Sequence, residues 1–225
     1  MKYDPQIHNR RSIRLKEYDY SQAGAYFITI CCNNRILRFG NINLDAEMIL
    51  NEFGQVAYTE WIKLSERFQN VSLDVFQIMP NHMHGIITLN NVGATLAVAQ
   101  NNVIAQNNAV IQNNVVIQND TGAQNNVVIQ NNMHTIHINN WAGASPAPTI
   151  GDIVGAYKSL VANGCLNVFK RLVEAGVIPE HEMMGKLWQR NYYEHIIRNE
   201  QAYHKISDYI INNPKKWMED KFFRM

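Results

Sequence analysis

The chain has 225 residues, 46% of them apolar, and its 20 Lys and Arg against 19 Asp and Glu leave a formal net charge of +1. That apolar fraction can fill a core, which excludes global disorder, and the near-neutral balance removes any whole-chain argument for nucleic acid. Three cysteines without Cys-x-x-Cys spacing exclude a disulfide framework or zinc ribbon. No apolar leader and no run of about 18 apolar residues is present, so a soluble, unexported, cytoplasmic protein is expected.

The first predicted element is a strand over Ala25 to Cys32, where Tyr26, Phe27, Ile28, Thr29 and Ile30 are β-favouring. A long amphipathic helix is predicted over Asp45 to Phe68, because Ile49, Phe53, Val56, Ala57, Trp61 and Leu64 recur near a 3.6-residue period. Two apolar runs then flank Pro80-Asn81, which reads as a tight connection between antiparallel strands. The second run opens His82-Met83-His84. Side chains alternate along a strand, so both imidazoles lie on one face and can share one divalent cation.

Between about residues 96 and 140 charge almost vanishes, and Gln-Asn-Asn or a close variant returns every six residues from Gln100 to Asn132. The tract is too short to bury a β-helical core of its own. It is read as a low-complexity insertion from a loop of one domain spanning 1–225, free to wave, to extend a hairpin or to cover a groove. Beyond it, Thr149 to Val173 reads as one helix or two, with Gly164 a possible break. Leu187 to Ile197 reads as strand-like at its start, and a final helix over Glu200 to Asn212 should stop near Pro214. Strand, helix, strand, strand, helix, strand, helix describes an α+β domain on an antiparallel sheet.

Five segments carry a resemblance when taken in this order. They are Ala25-Tyr26-Phe27-Ile28-Thr29-Ile30, Met79-Pro80-Asn81-His82-Met83-His84, Val154-Gly155-Ala156-Tyr157-Lys158-Ser159, Trp188 to Arg198, and Tyr209-Ile210-Ile211-Asn212-Asn213-Pro214. Together they resemble the REP-associated tyrosine transposases, a branch of the single-tyrosine HUH transposases. The resemblance implies a ferredoxin-like HUH endonuclease fold. It also implies Mg²⁺ or Mn²⁺ held by His82, His84 and Asn213, with Tyr209 as the nucleophile that forms a 5′-phosphotyrosine link. Tyr203 is the substitute nucleophile. The implied partner is single-stranded DNA beside a hairpin of palindromic repeats, handled by a monomer or a homodimer.

Residues i and i+4 of a helix share a face, so Tyr209 and Asn213 can both look at the strand bearing the His pair, although Pro214 should push Asn213 away from helical angles. Candidate phosphate contacts are Arg10, Arg11, Arg14, Lys158, Arg190 and Lys215. Each is read either as part of a DNA groove or as ordinary solvated surface. Two competing functions follow from the same residues. One is a hairpin-DNA-binding protein that has lost turnover, and the other is a hydrolase that uses metal-bound water.

Overall fold

The computed structural model describes residues 22–90, 116–117 and 148–223. Four strands, Gly24–Cys31 (β1), Val71–Met79 (β4), His82–Leu89 (β5) and Tyr193–Ile197 (β7), form one sheet in the order β4-β5-β1-β7, antiparallel throughout. Helix Glu52–Ile62 (α1) connects β1 to β4, and helix Ile150–Glu174 (α3) connects β5 to β7. The resulting β-α-β-β-α-β path with two interleaved β-α-β units is the ferredoxin-like arrangement. A smaller sheet is made by Gly40–Ile42 (β2), Met48–Leu50 (β3) and Val116–Ile117 (β6). Short helix Leu64–Arg67 (α2) leads into β4, and helix Glu200–Ile211 (α4) follows β7.

The helix predicted from Asp45 begins seven residues late, at Glu52. Asn43 Oδ1 accepts from Glu47 N at 2.8 Å and Ala46 takes a left-handed φ of 59°, which closes a turn and lets Met48–Leu50 pair with Gly40–Ile42. Met48 and Leu50 are buried on one side of that strand, a period of two inside an apparent period of 3.6. Asn51 then caps α1 by accepting from Gly54 N at 3.0 Å. The strand predicted to start at Leu187 also moves. Trp188 makes a single bridge to Cys32, and the regular strand is Tyr193–Ile197.

Gly164 does not break α3, which runs unbroken from a Thr149–Asp152 capping box. A Cβ at Gly164 would sit 2.6 Å from Val56 Cγ1, so the glycine lets α1 and α3 approach closely. These two helices cover one face of the sheet. There Tyr26, Ile28, Ile30, Met83 and Ile87 pack with Trp61, Tyr157 and Val161, and the Tyr157 hydroxyl donates to Ala57 O at 3.0 Å. The opposite face, with Phe27 and Ile86, is covered by Ile210, Tyr203 and Ile206 of α4.

Gly85 points toward the first face, where an added Cβ would lie 2.4 Å from Trp61 Cζ2. Trp61 is fully buried and cannot swing away. Gly85→Ala should therefore cost about 1–3 kcal/mol through overpacking, read as a lowered urea midpoint followed by tryptophan fluorescence.

Candidate active site

Pro80 and Asn81 alone separate β4 from β5, so β5 begins with His82 directly at the turn. Alternation sends Met83 to the α1/α3 core and turns His82 and His84 to the α4 face, beside Thr29 and Phe27 of β1. The two imidazoles are 0% and 1% exposed, and their Nε2 atoms lie 3.0 Å apart.

Neighbouring side chains orient each ring. Asn81 Nδ2 donates to the carbonyls of Arg35 at 3.1 Å and Phe222 at 2.8 Å, which leaves Asn81 Oδ1 to accept from His82 Nδ1 at 2.8 Å. With its proton on Nδ1, His82 presents a lone pair at Nε2. His84 Nδ1 is 2.8 Å from Thr29 Oγ1, its cross-strand partner. Burial first, and then the charges of Lys221 and Arg35, hold His82 neutral, with its pKa lowered to about 3. Burial and the adjoining His82 drive His84 well below the usual imidazole range. Both rings are therefore neutral nitrogen donors at physiological pH.

Helix α4 is capped by Asn199, which accepts from Ala202 N at 2.8 Å, and it delivers Tyr209 to the same point. The Tyr209 hydroxyl lies 3.1 Å from His84 Nε2 and 3.5 Å from Asp220 Oδ2, within one chain. Its ring packs edge-on against Phe27 with centroids 6.2 Å apart, and the residue is 40% exposed. Desolvation, followed by the Asp220 charge, raises the phenol to about 12, with the Asn213 amide pulling the other way. Asn213 keeps helical angles (φ −59°, ψ −43°), contrary to the expectation from Pro214. It opens the 3₁₀ turn Pro214–Glu219, and Asn213 N donates to Ile210 O at 3.2 Å.

Asp220 ends that turn and was missed by sequence reasoning. It lies in a stretch that reads as basic, between Lys215, Lys216 and Lys221, and no spacing ties it to the His pair. The ligand atoms of His82, His84 and Asp220 all fall within 4.8 Å of one another. Arg35 and Phe222 were also missed. Phe222 packs against His82 with centroids 4.6 Å apart and the rings tilted by 46°, and the Arg35 guanidinium and Lys221 ammonium lie 5.1 and 4.8 Å from the Phe222 centroid.

The predicted phosphate contacts fare differently. Lys158 Nζ donates to the carbonyls of Gln189 at 2.7 Å and Arg190 at 3.0 Å, a clip between α3 and the approach to β7. Arg190 and Lys215 are exposed, while Arg10, Arg11 and Arg14 lie outside the described residues, as does all of the 96–140 tract except Val116–Ile117. Tyr203 donates to Asp74 Oδ2 at 2.6 Å, so its hydroxyl is engaged away from the His pair.

Asn81 joins three segments through one amide. In Asn81→Leu the half-buried carbonyls of Arg35 and Phe222 and the fully buried His82 ring lose their partners. Stability should fall by about 2–3 kcal/mol, measured by urea unfolding.

No family model matches the chain. A Haemophilus influenzae protein described as uncharacterised is 34% identical over 222 residues, spanning 99% of this chain and 97% of that one. Among solved structures, a REP-associated tyrosine transposase bound to a REP hairpin is 16% identical with a TM-score of 0.41, covering 92% of this chain and 74% of its own. A candidate transposase from Deinococcus radiodurans is 14% identical with a TM-score of 0.38, covering 89% and 97%. Neither superposition is close, and the architecture rests on the strand order and register given above. Among the described residues no helix is long and apolar enough to cross a membrane.

Proposed function

We propose that this chain, which belongs to the same family as the Haemophilus influenzae protein, is a metal-dependent endonuclease and strand transferase. Its substrate in this reading is single-stranded DNA at palindromic hairpin repeats. The observation that carries the proposal is the Tyr209 hydroxyl 3.1 Å from His84 Nε2, beside a second imidazole whose lone pair faces the same point. In this reading the sequence motifs point to DNA as the substrate, and Tyr209 is the nucleophile because its hydroxyl faces the His pair.

The residues fit a divalent cation: two neutral imidazole nitrogens and a carboxylate within reach, backed by the buried Asn213 amide, whose Oδ1 has no hydrogen-bond partner among the described residues. Bound there, Mg²⁺ or Mn²⁺ would polarise the scissile phosphate and offset the charge that grows on its oxygens. Tyr209 Oη attacks phosphorus, the bond from phosphorus to the 3′ oxygen breaks, and the products are a 5′-phosphotyrosine and a free 3′-hydroxyl. The phenol proton leaves as this bond forms. With the His84 Nε2 lone pair committed to the cation, the acceptors open to the 40% exposed Tyr209 hydroxyl are Asp220 Oδ2 and solvent.

In this reading the nucleophile and the His pair belong to one chain, with the Tyr209 hydroxyl 3.1 Å from His84 Nε2. Arg35 and Lys221, beside the His pair, are the cations best placed for the phosphate backbone, with exposed Arg190 and Lys215 further contacts. Lys158 is spent on carbonyls and is left out of that set. The catalytic unit is one domain, and the 96–140 tract is an insertion in it.

The test is incubation of the full chain with hairpin-bearing single strands and Mn²⁺, resolved on denaturing gels. A protein–DNA adduct that disappears in Tyr209→Phe supports the proposal. Tight binding without adduct points to a DNA-binding protein that does not turn over, and cleavage that survives Tyr209→Phe points to water as nucleophile. Either of those results overturns it.

A further inference from the structure

We infer that Asp220 is the carboxylate ligand of the cation site, and that Asn213 is a positioning residue that acts through it. The inference rests on the reading that the His pair holds a divalent cation, and it reassigns the oxygen ligand that the sequence motif places on Asn213. The first ground is reach, because Asp220 offers an oxygen within 4.8 Å of both imidazole donor atoms.

The second ground is which end of the Asn213 amide faces the site. Asn213 Nδ2 donates to Asp220 Oδ2 at 2.9 Å. A carboxylate oxygen cannot accept from a carbonyl oxygen, so Asp220 itself fixes the amide with nitrogen toward it, and an amide NH₂ has no lone pair to offer a cation. Charge is the third ground. Two neutral imidazoles and an amide bring no negative charge, and Arg35 and Lys221 stand near enough to act on His82. A hard cation there needs an anionic oxygen, and Asp220 supplies one.

Asp220 is also held as a ligand should be. Its Oδ1 accepts from Phe222 N at 2.6 Å while its Oδ2 takes the Asn213 amide, so both oxygens are fixed before a cation arrives. Asn213 is 2% exposed at the end of α4, which makes it a rigid anchor between the Tyr209 helix and the turn that carries Asp220.

The experiment is titration of the full chain with MnCl₂ alone, without DNA, reading free Mn²⁺ by electron paramagnetic resonance. Asp220→Asn should weaken binding on the order of 100-fold, Asp220→Glu should recover it to within about tenfold of the parent, and Asn213→Ala should cost about tenfold. In the Asp220→Asn background, adding Asn213→Ala should cost no more than about twofold further, because a residue acting through Asp220 has nothing left to act on. The inference is overturned if Asn213→Ala alone abolishes binding while Asp220→Asn stays within about twofold of the parent. It is equally overturned if the Asn and Glu replacements at 220 are alike, as a merely structural role would have them. A parent chain that binds no Mn²⁺ would sink the metal reading itself, a different result from Mn²⁺ binding that ignores Asp220.

Discussion

Replacing Tyr209 with phenylalanine should abolish the covalent protein–DNA adduct while the fold and Mn²⁺ binding persist. The substitution removes one oxygen. The ring keeps its edge-on contact with Phe27 and its packing 5.1 Å from the His84 centroid, so what is lost is the 3.1 Å hydrogen bond to His84 and the long 3.5 Å contact to Asp220. At a residue that is 40% exposed, such a loss changes stability by no more than about 1 kcal/mol. The chemical loss is of another order. Removing a covalent nucleophile costs roughly 10⁶-fold in turnover, which takes the adduct below detection.

Two other tyrosines are already engaged. Tyr203 has its hydroxyl on Asp74 at 2.6 Å and is itself raised to about 12 by burial and that carboxylate, while Tyr157 is fully buried with its hydroxyl on Ala57 O. Retained DNA affinity with no adduct in Tyr209→Phe is the expected outcome. An adduct formed by Tyr209→Phe would show that the 3.1 Å contact is packing rather than chemistry.

What was legible in the sequence was what local geometry dictates. His82 and His84 share a face because strand alternation admits no other arrangement once Pro80-Asn81 sets the turn, and α4 follows from its own pattern ahead of Pro214. The β3 strand was not legible. Ile49 falls on the 3.6-residue stripe of the helix that follows, and Met48–Leu50 becomes a strand only because Gly40–Ile42 lies alongside. Lys158 reads as a free cation on a helix face until the carbonyls of Gln189 and Arg190, about thirty residues away, take its ammonium.

Asp220 illustrates the same limit within the site. Its place depends on the 3₁₀ turn after Pro214 and on the Asn213 amide, and neither writes a spacing into the chain. Asn81 reads as a turn residue, which it is, and the role of its side chain in orienting His82 depends on the Arg35 and Phe222 carbonyls meeting in space.

Kept free of metal with EDTA, the chain should lose stability steadily as pH falls from about 6.5 toward 3. His82 is held neutral in the fold, its pKa lowered from 6.5 to about 3 by burial and then by Lys221 and Arg35. A depressed pKa stabilises fully above the unfolded value, where both states are neutral. Below 6.5 the unfolded chain takes up a proton that the folded one refuses, so stability drains until the folded imidazole titrates near 3. From His82 alone the loss by pH 3 is roughly 5 kcal/mol, a large part of the stability of a domain of this size. His84 moves in the same direction, so the slope can reach two protons per molecule.

Urea midpoints measured across this range, with His82→Gln as the comparison, check the prediction. The parent should fall faster with acid than the variant. A parent curve that stays flat from pH 6.5 to 4 would mean that both imidazoles titrate as if in water. Phe222 and α4 would then not close over the His pair in solution, and the lone pairs that are to hold a cation would be hydrated in the resting chain.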